Sequence, residues 1–438
     1  MKRTFALPLL VSLAVTCLWS PLAHAADYEA KPNDPHYIKF NPRRAPAPGP
    51  LLLQTGDTVA IVGDSITEQK RYSRIMETYL TVCVPQLKIT CRQFGWGGET
   101  AEGFRRRMTN DCLRFKPSVA TFCYGMNDAR YRAYDDANGQ WYVSNYTAIV
   151  DSFESAGTKV VLGSPGCLGL VRKGPTTIDE ENLNLMTLRD MDIRIAQDEN
   201  VRFADVFWPL FKASYDGSNL FSTTNKIYRM CGPDGIHPNW SGHLVMARAF
   251  LLAMGLDGDI GTFTVDLGAG KADATAGHHV DSFANGALTI TSSRYPFCDA
   301  GAINDDNSIR SGMSLVPFNR ELNRLILIVT NIGTPRCQVA WGATTNTYSA
   351  EQLAVGVNLA DDFAVNPFSD AFKKVDVAVS EKQIYETWQI KNEFHSAAAR
   401  ADMDAVVKRT ETDRVKLTTA VTTAFVPVQH TIQLTPVQ

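Results

Sequence analysis

Residues 57–73 read DTVAIVGDSITEQKRYS. The apolar and small residues Val59 to Gly63 give way abruptly to Asp64-Ser65-Ile66-Thr67. A strand that stops at a glycine, an acid and a serine and then enters a helical pattern has two readings. It is an ordinary corner in which Ser65 or Thr67 caps the next helix, or Ser65 is held up for chemistry. The helical pattern itself is plain: Tyr72, Ile75, Met76, Tyr79 and Leu80 recur along one face.

Working outward, strand and helix alternate from about residue 55 to 255. LKITCRQF (87–94), SVATFCYG (118–125), KVVLGSP (159–165) and VRFADV (201–206) read as further strands. Helices are expected over 101–115, over 141–157 (stopped by Gly157), over about 179–199, and over 239–255 with Gly255 at its end. Short, largely apolar strands separated by helices imply a parallel sheet covered on both faces, with the strand order 2-1-3-4-5. The expected fold is therefore a flavodoxin-like three-layer α/β/α domain. Active sites in such sheets lie at the carboxyl ends of the strands. That rule selects Gly63-Asp64-Ser65, FGWGGET (94–100), YGMND (124–128) and, beyond the fifth strand, CGPDGIHPNWSGH (231–243).

Together these segments hold the parts of a serine esterase. Asp234 and His237 are three apart, so one turn can present both, the carboxylate orienting the imidazole. A histidine held in this way can take the proton of a serine hydroxyl, otherwise a poor nucleophile at neutral pH. Attack on an ester develops a negative oxygen that needs fixed donors. The Ser65 N–H, the Gly98 N–H and the Asn127 carboxamide are candidates, with Gly95 the fallback for Gly98. Asp64 is expected to serve as a structural hydrogen-bonding group, with helix capping left to Thr67 or the backbone.

GDSIT, GWGGETA, YGMND and DGIHP resemble the four blocks of the SGNH hydrolases, also called the GDSL esterase/lipase superfamily. The resemblance implies that Ser65 is the nucleophile, that Asp234 and His237 complete the triad, and that Ser65, Gly98 and Asn127 form the oxyanion hole. Gln93 departs from the asparagine that many members carry in their second block. The segments SSRYPFC, NRLILIVT and AEQLAVGVNLADDFAVNPF further resemble the larger exported members from environmental bacteria.

Other chemistries fit less well. Thr67 stands where the G-x-S-x-G elbow of an α/β-hydrolase needs glycine. A two-metal phosphoesterase would have to use Asp64, Asp128, Asp234 and His237, without the dense Asp/His spacing such sites have. No metal and no cofactor are expected. An O-acyltransferase could use the same triad and acyl-enzyme, as could a lipase or general carboxylesterase, and the residues do not separate these from an esterase.

The N-terminus predicts export. Lys2 and Arg3 precede FALPLLVSLAVTCLW, and AHA closes at Ala25, the pattern of a signal peptide cut there. The threonine before Cys17 argues against lipidation, and no later stretch approaches the ~18 apolar residues of a membrane span. A net charge of −3 without long runs of either sign gives no footprint for nucleic acid. Eight cysteines follow Cys17; in an oxidising compartment they permit disulfides, for which Cys83–Cys91 and Cys298–Cys337 are the pairings expected here, against a reading as buried thiols.

The expected organisation is a signal peptide (1–25), an N-terminal extension (26–54), the catalytic domain (55–260), a β-rich module (261–362) and a mainly helical segment (363–438) that closes with a strand. The module reads as small and antiparallel. Trp341 and Tyr348 could bind glycan there, although a structural module is the better expectation. Around the four blocks stand Trp96, Tyr124, Arg130, Tyr131 and Trp240, an aromatic and polar set suited to sugar rings. The expected substrate is a short-chain, chiefly acetyl, ester on carbohydrate.

Overall fold

The computed structural model describes residues 27–170, 176–298 and 301–438. The expected signal peptide and Cys17 lie outside these residues. The chain divides into two units, Met1–Arg44 and Ala45–Gln438. Within the first, Tyr28 and Arg43 form an antiparallel bridge and Pro35–Tyr37 a 3-10 turn capped by Asp34.

The second unit is built on five parallel strands: β1 (Thr58–Gly63), β2 (Thr90–Gln93), β3 (Val119–Cys123), β4 (Lys159–Gly163) and β5 (Arg202–Ala204). Their order is β2-β1-β3-β4-β5, as the alternation implies. Every residue of β3, and all of β1 but Thr58, is buried, so the strands read as apolar runs and not as alternations. Helices flank the sheet: α1 (Ser65–Glu68), α2 (Tyr72–Val82), α3 (Ala101–Asp111), α4 (Asp136–Ser155), α5 (Ile178–Asp198), α6 (Phe207–Phe221) and α7 (Trp240–Ala253). The apolar face foreseen on α2, from Tyr72 to Leu80, is buried. Helix α6 is an element the sequence reading left out. Pro209 lies in its first turn, where a missing N–H costs nothing, and Gly217 in its body packs where a Cβ would meet Tyr228 at 2.6 Å.

The rest of the unit carries two further sheets. One has the order β13-β10-β6-β7, from β6 (Asp259–Asp266), β7 (Lys271–Ala274), β10 (Arg324–Thr330) and β13 (Val357–Asn358). The other has the order β12-β11-β14-β9-β8, from β8 (His278–Ala284), β9 (Ala287–Ser292), β11 (Arg336–Trp341), β12 (Thr344–Ser349) and β14 (Val428–Val437). The expectation of a purely antiparallel module is corrected here: β6 and β10 run parallel, because α8 (Ile309–Leu315) and α9 (Phe318–Leu322) lie on the connection between them. Two short helices, α10 (Ala350–Val355) and α11 (Leu359–Asp362), precede a helical hairpin of α12 (Ser369–Trp388), a π-helical turn (Gln389–Phe394), α13 (Ala397–Ala401) and α14 (Met403–Ala424).

Trp341 and Tyr348 do not face solvent. Trp341 is fully buried and donates to His430 Nδ1 at 3.1 Å, while the Tyr348 hydroxyl donates to Asp362. Their rings pack the module and are closed to a glycan.

The expected disulfides are also corrected. The eight described cysteines are buried, and no disulfide joins any two of them. Cys337 sits in β11 with its thiol on Gln338 O, and Cys298 lies against Asn366, so neither turns to the other. They act as small apolar residues, and burial raises the thiol pKa of Cys83, Cys91 and Cys123 alike. The sulfurs of Cys167 and Cys231 lie 3.6 Å apart.

The α12–α14 hairpin is joined to the catalytic sheet by buried charge. Lys382 Nζ lies 2.7 Å from Glu386 Oε1, 3.1 Å from Glu77 Oε1 and 3.0 Å from Cys91 O, and Arg414 Nε adds a bond to Glu386 at 2.9 Å. Gln93, the departure noted in the second block, belongs to this joint. Its side chain donates to Thr67 O at 2.7 Å and accepts from Thr387 of α12 at 3.1 Å, while its N–H donates to Glu386. The glutamine thus reaches from the serine corner to the C-terminal helices.

Candidate active site

The corner after β1 is set by close packing. A Cβ on Gly63 would stand 2.1 Å from Thr67 Oγ1 and 2.7 Å from Cys123 O, so only glycine lets the chain turn there. Asp64 then caps α1, its Oδ1 accepting from Ile66 N at 2.9 Å. Thr67 does not cap: it is buried and shares a 2.7 Å hydrogen bond with the Tyr72 hydroxyl. The correction follows from position, since the cap must precede the first helical residue, and Asp64 does. Ser65 is left at the first position of the helix, half-buried, with its hydroxyl free to meet another group.

That group is His237. Its Nε2 lies 2.8 Å from Ser65 Oγ, and its Nδ1 lies 2.6 Å from Asp234 Oδ2. The other carboxylate oxygen, Oδ1, accepts from Ile236 N at 2.9 Å and His237 N at 3.0 Å. Asp234 therefore folds its own loop and aligns the ring with the same side chain. Burial pushes its carboxyl up, but these N–H groups and the imidazole outweigh that and hold it below the usual range. The loop needs glycine at 232, where φ is +80° and a Cβ would stand 2.0 Å from His237 O. Asp306, far along the chain, ties both ends of the loop: it accepts from Arg229 N at 2.7 Å and from Asn239 Nδ2 at 3.1 Å.

Beyond the Ser65 N–H, the expected oxyanion donors lie in the second and third blocks. Gly98 is exposed with φ of +73°, and nothing lies within 4 Å of where its Cβ would be. Gly95 is different: a Cβ there would strike Glu68 N at 2.3 Å, so that glycine serves the packing of the loop on α1. Asn127 Nδ2 donates to Glu99 O at 3.0 Å and lies 3.4 Å from Asp64 Oδ2. One of its protons is held, and the other has only the longer contact. Asp128 accepts from Ala101 N and Gly125 N, clamping the second block to the third. Burial drives the Asp64 carboxyl up to about 7 and that of Asp128 up to about 6. A cleft of about 540 Å³ opens over the serine, lined by Glu68, Gln69, Lys70, Arg71, Pro233 and Asn239 beside the Ser65, Asp234 and His237 group.

The five aromatic and polar candidates for substrate contact divide. Tyr124 is corrected: it is fully buried, its hydroxyl donating to Glu99 Oε2 at 2.7 Å, and it cannot stack on a sugar. Tyr131 is half-buried with its hydroxyl on Asn127 Oδ1 at 3.3 Å, beside the site. Arg130 is exposed over the Trp141 ring. Trp240 is flanked by the guanidinium groups of Arg71 and Arg74, and Trp96 by Lys391, Arg107 and His395, so both rings already carry partners. His243 in the fourth block is buried and neutral, accepting from Tyr72 N, with desolvation holding its pKa well below the usual histidine value. Glu68 and Asp306 were not singled out by the sequence. Glu68 follows the serine by three residues and so shares its helix turn, which is a usable signal; Asp306 has none.

The GDSL-like Lipase/Acylhydrolase family matches residues 61–245, a span that contains all four blocks. These residues form a GDSL-like hydrolase domain of the SGNH superfamily. An acetylxylan esterase of Geobacillus stearothermophilus is 25% identical to the chain over 232 residues, which is 47% of this chain and 98% of that protein. Together they make the chain a carboxylic ester hydrolase. A gut microbial diltiazem-metabolizing enzyme superposes with a TM-score of 0.70 at 20% identity, over 90% of this chain and 100% of its own. The fold it shares thus runs well beyond the GDSL-like domain, through most of the C-terminal half. The crystal structure of an acetylxylan esterase from Geobacillus stearothermophilus superposes at a TM-score of 0.39 and 20% identity, over 47% of this chain and 97% of that one. Among the described residues, no helix is long and apolar enough to cross a membrane, and no group of three or more His, Cys, Asp or Glu could hold a metal ion.

Proposed function

We propose that the protein is an exported serine esterase that removes short acyl groups, chiefly acetyl, from carbohydrate. Residues 55–260 act as the catalytic domain, and residues 261–362 and 363–438 as a β-rich module and helical segment built onto it. The observation that carries the reading is the chain of two short contacts, Ser65 Oγ to His237 Nε2 at 2.8 Å and His237 Nδ1 to Asp234 Oδ2 at 2.6 Å, at the floor of an open cleft.

The chemistry follows from those atoms. His237 Nε2 takes the Ser65 proton as Oγ attacks the ester carbonyl, and Asp234 stabilises the imidazolium that forms. The carbonyl oxygen, now negative, is received by the N–H groups of Ser65 and Gly98 and by the Asn127 carboxamide. Collapse expels the sugar alcohol, which takes the proton back from His237, leaving an acyl-serine. Water then repeats the sequence and frees the carboxylic acid.

Two features support a short acyl group on a polar alcohol. The cleft lining is charged or polar except for Pro233, which suits neither a fatty acyl chain nor an apolar lid. The curated relative described above is named as an acetylxylan esterase. The pattern of residues 1–25 supports export. The test is acetate release from a panel of acetylated polysaccharides by the mature protein and by Ser65→Ala. Release by the first and none by the second is expected. No release from any of them, with good turnover of long-chain esters, would refute the carbohydrate reading.

A further inference from the structure

The loop between β2 and α3 carries Gly98, yet much of what holds that loop comes from the other end of the chain. Glu68 Oε2 accepts the N–H of Gly97, and Glu68 Oε1 lies 2.7 Å from Lys391 Nζ in the π-helical turn. Lys391 also lies over the Trp96 ring, 5.2 Å from its centroid, and His395 meets the same ring edge-on at 4.9 Å. A second track runs from His395 Nε2 to Asp111 at 2.8 Å, and Arg107 bridges Asp111 to Glu99 and to Phe94 O. Glu99 O is the acceptor that holds Asn127. Both side-chain tracks therefore start within residues 391–395 and end beside the two donors that Ser65 does not itself supply.

The π-helical turn makes this reach possible. A helix that widens for a few residues shifts the phase of everything after it, and such turns recur at functional sites. Here Lys391 falls inside the wide turn and His395 just past it, so both can meet the Trp96 loop from one helix end. Trp96 is consequently a seat for the C-terminal segment.

We infer that Lys391 is a positioning residue for the oxyanion hole: through Glu68 it fixes Gly97 and with it the Gly98 N–H, so that the C-terminal helical segment completes the esterase site. This rests on the esterase reading above. The lysine touches no reacting atom. Its effect is on where a donor stands, and donors must meet the oxyanion in the transition state more than the carbonyl in the bound ester. Loosening the loop should accordingly lower kcat and leave KM nearly unchanged.

The test compares Lys391→Met, Lys391→Arg and Glu68→Gln with the wild-type protein on p-nitrophenyl acetate, alongside hydrogen exchange of the peptide spanning Phe94–Thr100. Lys391→Met should lose about tenfold or more in kcat with KM within about twofold, and Lys391→Arg should regain most of the loss. Exchange in the peptide should quicken in Lys391→Met and Glu68→Gln and stay slow in Lys391→Arg. Wild-type kcat in Lys391→Met, a change confined to KM, or unchanged exchange would each overturn the inference. If the wild-type protein shows no Ser65-dependent hydrolysis, the esterase reading fails instead, and the exchange result still decides whether Lys391 holds the loop.

Discussion

Replacing Lys382 by methionine should destabilise the protein far more at alkaline than at acid pH. Lys382, Glu77 and Glu386 are all nearly inaccessible to solvent, and their ionised forms are tolerable only because they neutralise one another. Without the ammonium, Glu386 keeps Arg414 Nε at 2.9 Å and the Gln93 N–H at 3.1 Å. Cys91 O keeps Arg414 Nη2 at 3.1 Å. Glu77 keeps the Gln383 amide at 2.8 Å but loses the one cation in contact with it among the described residues. The damage therefore falls on Glu77, whose carboxyl burial already raises in the intact protein. It can escape by taking a proton, at a cost of about 1.4 kcal/mol for each pH unit above its ordinary value of about 4.3. That sets a ceiling of about 5 kcal/mol at pH 8, the scale known for breaking a buried pair, and of about 1.6 kcal/mol at pH 5.5. The sign is that of a carboxyl with a raised pKa: its contribution to stability is fully present below the ordinary value and is lost as pH rises from there through the raised value. Urea unfolding of Lys382→Met at the two pH values should thus differ by about 3 kcal/mol in its destabilisation. Adding Glu77→Gln, which keeps an acceptor for Gln383, should recover most of the loss at pH 8. Equal destabilisation at both pH values, or a double variant no more stable than the single, would refute the reasoning.

Two more outcomes are expected at the site. Asp234→Asn should cost about four orders of magnitude in kcat on p-nitrophenyl acetate, because the amide can present an N–H to Nδ1 and fix the wrong tautomer; a loss below about tenfold would remove Asp234 from the triad. Tyr124→Phe should leave KM for an acetylated oligosaccharide unchanged while lowering stability by about 1 kcal/mol, the worth of the hydroxyl's bond to Glu99; a raised KM with unchanged stability would return Tyr124 to the cleft.

Periodicity made the parallel sheet readable, because strands buried on both faces and helices buried on one leave different local patterns. The four blocks were readable for another reason: backbone geometry restricts the residues within them, as at Gly63 and Gly232. Burial at the rim was harder. Tyr124 follows β3 much as Ser65 follows β1, and Trp240 lies in the same block as His237, but whether a ring faces the cleft depends on what arrives from elsewhere, here Glu99 for one and two arginines for the other. Least readable was the bracing from Lys391, His395 and Asp306. Lys391 lies 323 residues from Glu68, and no local pattern records such a partner. Gln93 looked like a weakened motif for the same reason: its second partner, Thr387, lies 294 residues away.

The place of β14 has a consequence for synthesis. Val428–Val437 is an interior strand of its sheet, with β9 on one side and β11 on the other. The β8–β9 and β11–β12 pairs cannot be joined into one sheet until these residues have been made, so the sheet is completed late. The strand follows α14 directly, and α14 is packed on α12, which leads into the turn bearing Lys391. A chain emerging from the ribosome would hold Ser65 well before residues 391–395, which brace the Gly98 loop, have been made. Lys391 is thus translated 323 residues after Glu68, the carboxylate through which it reaches the serine corner.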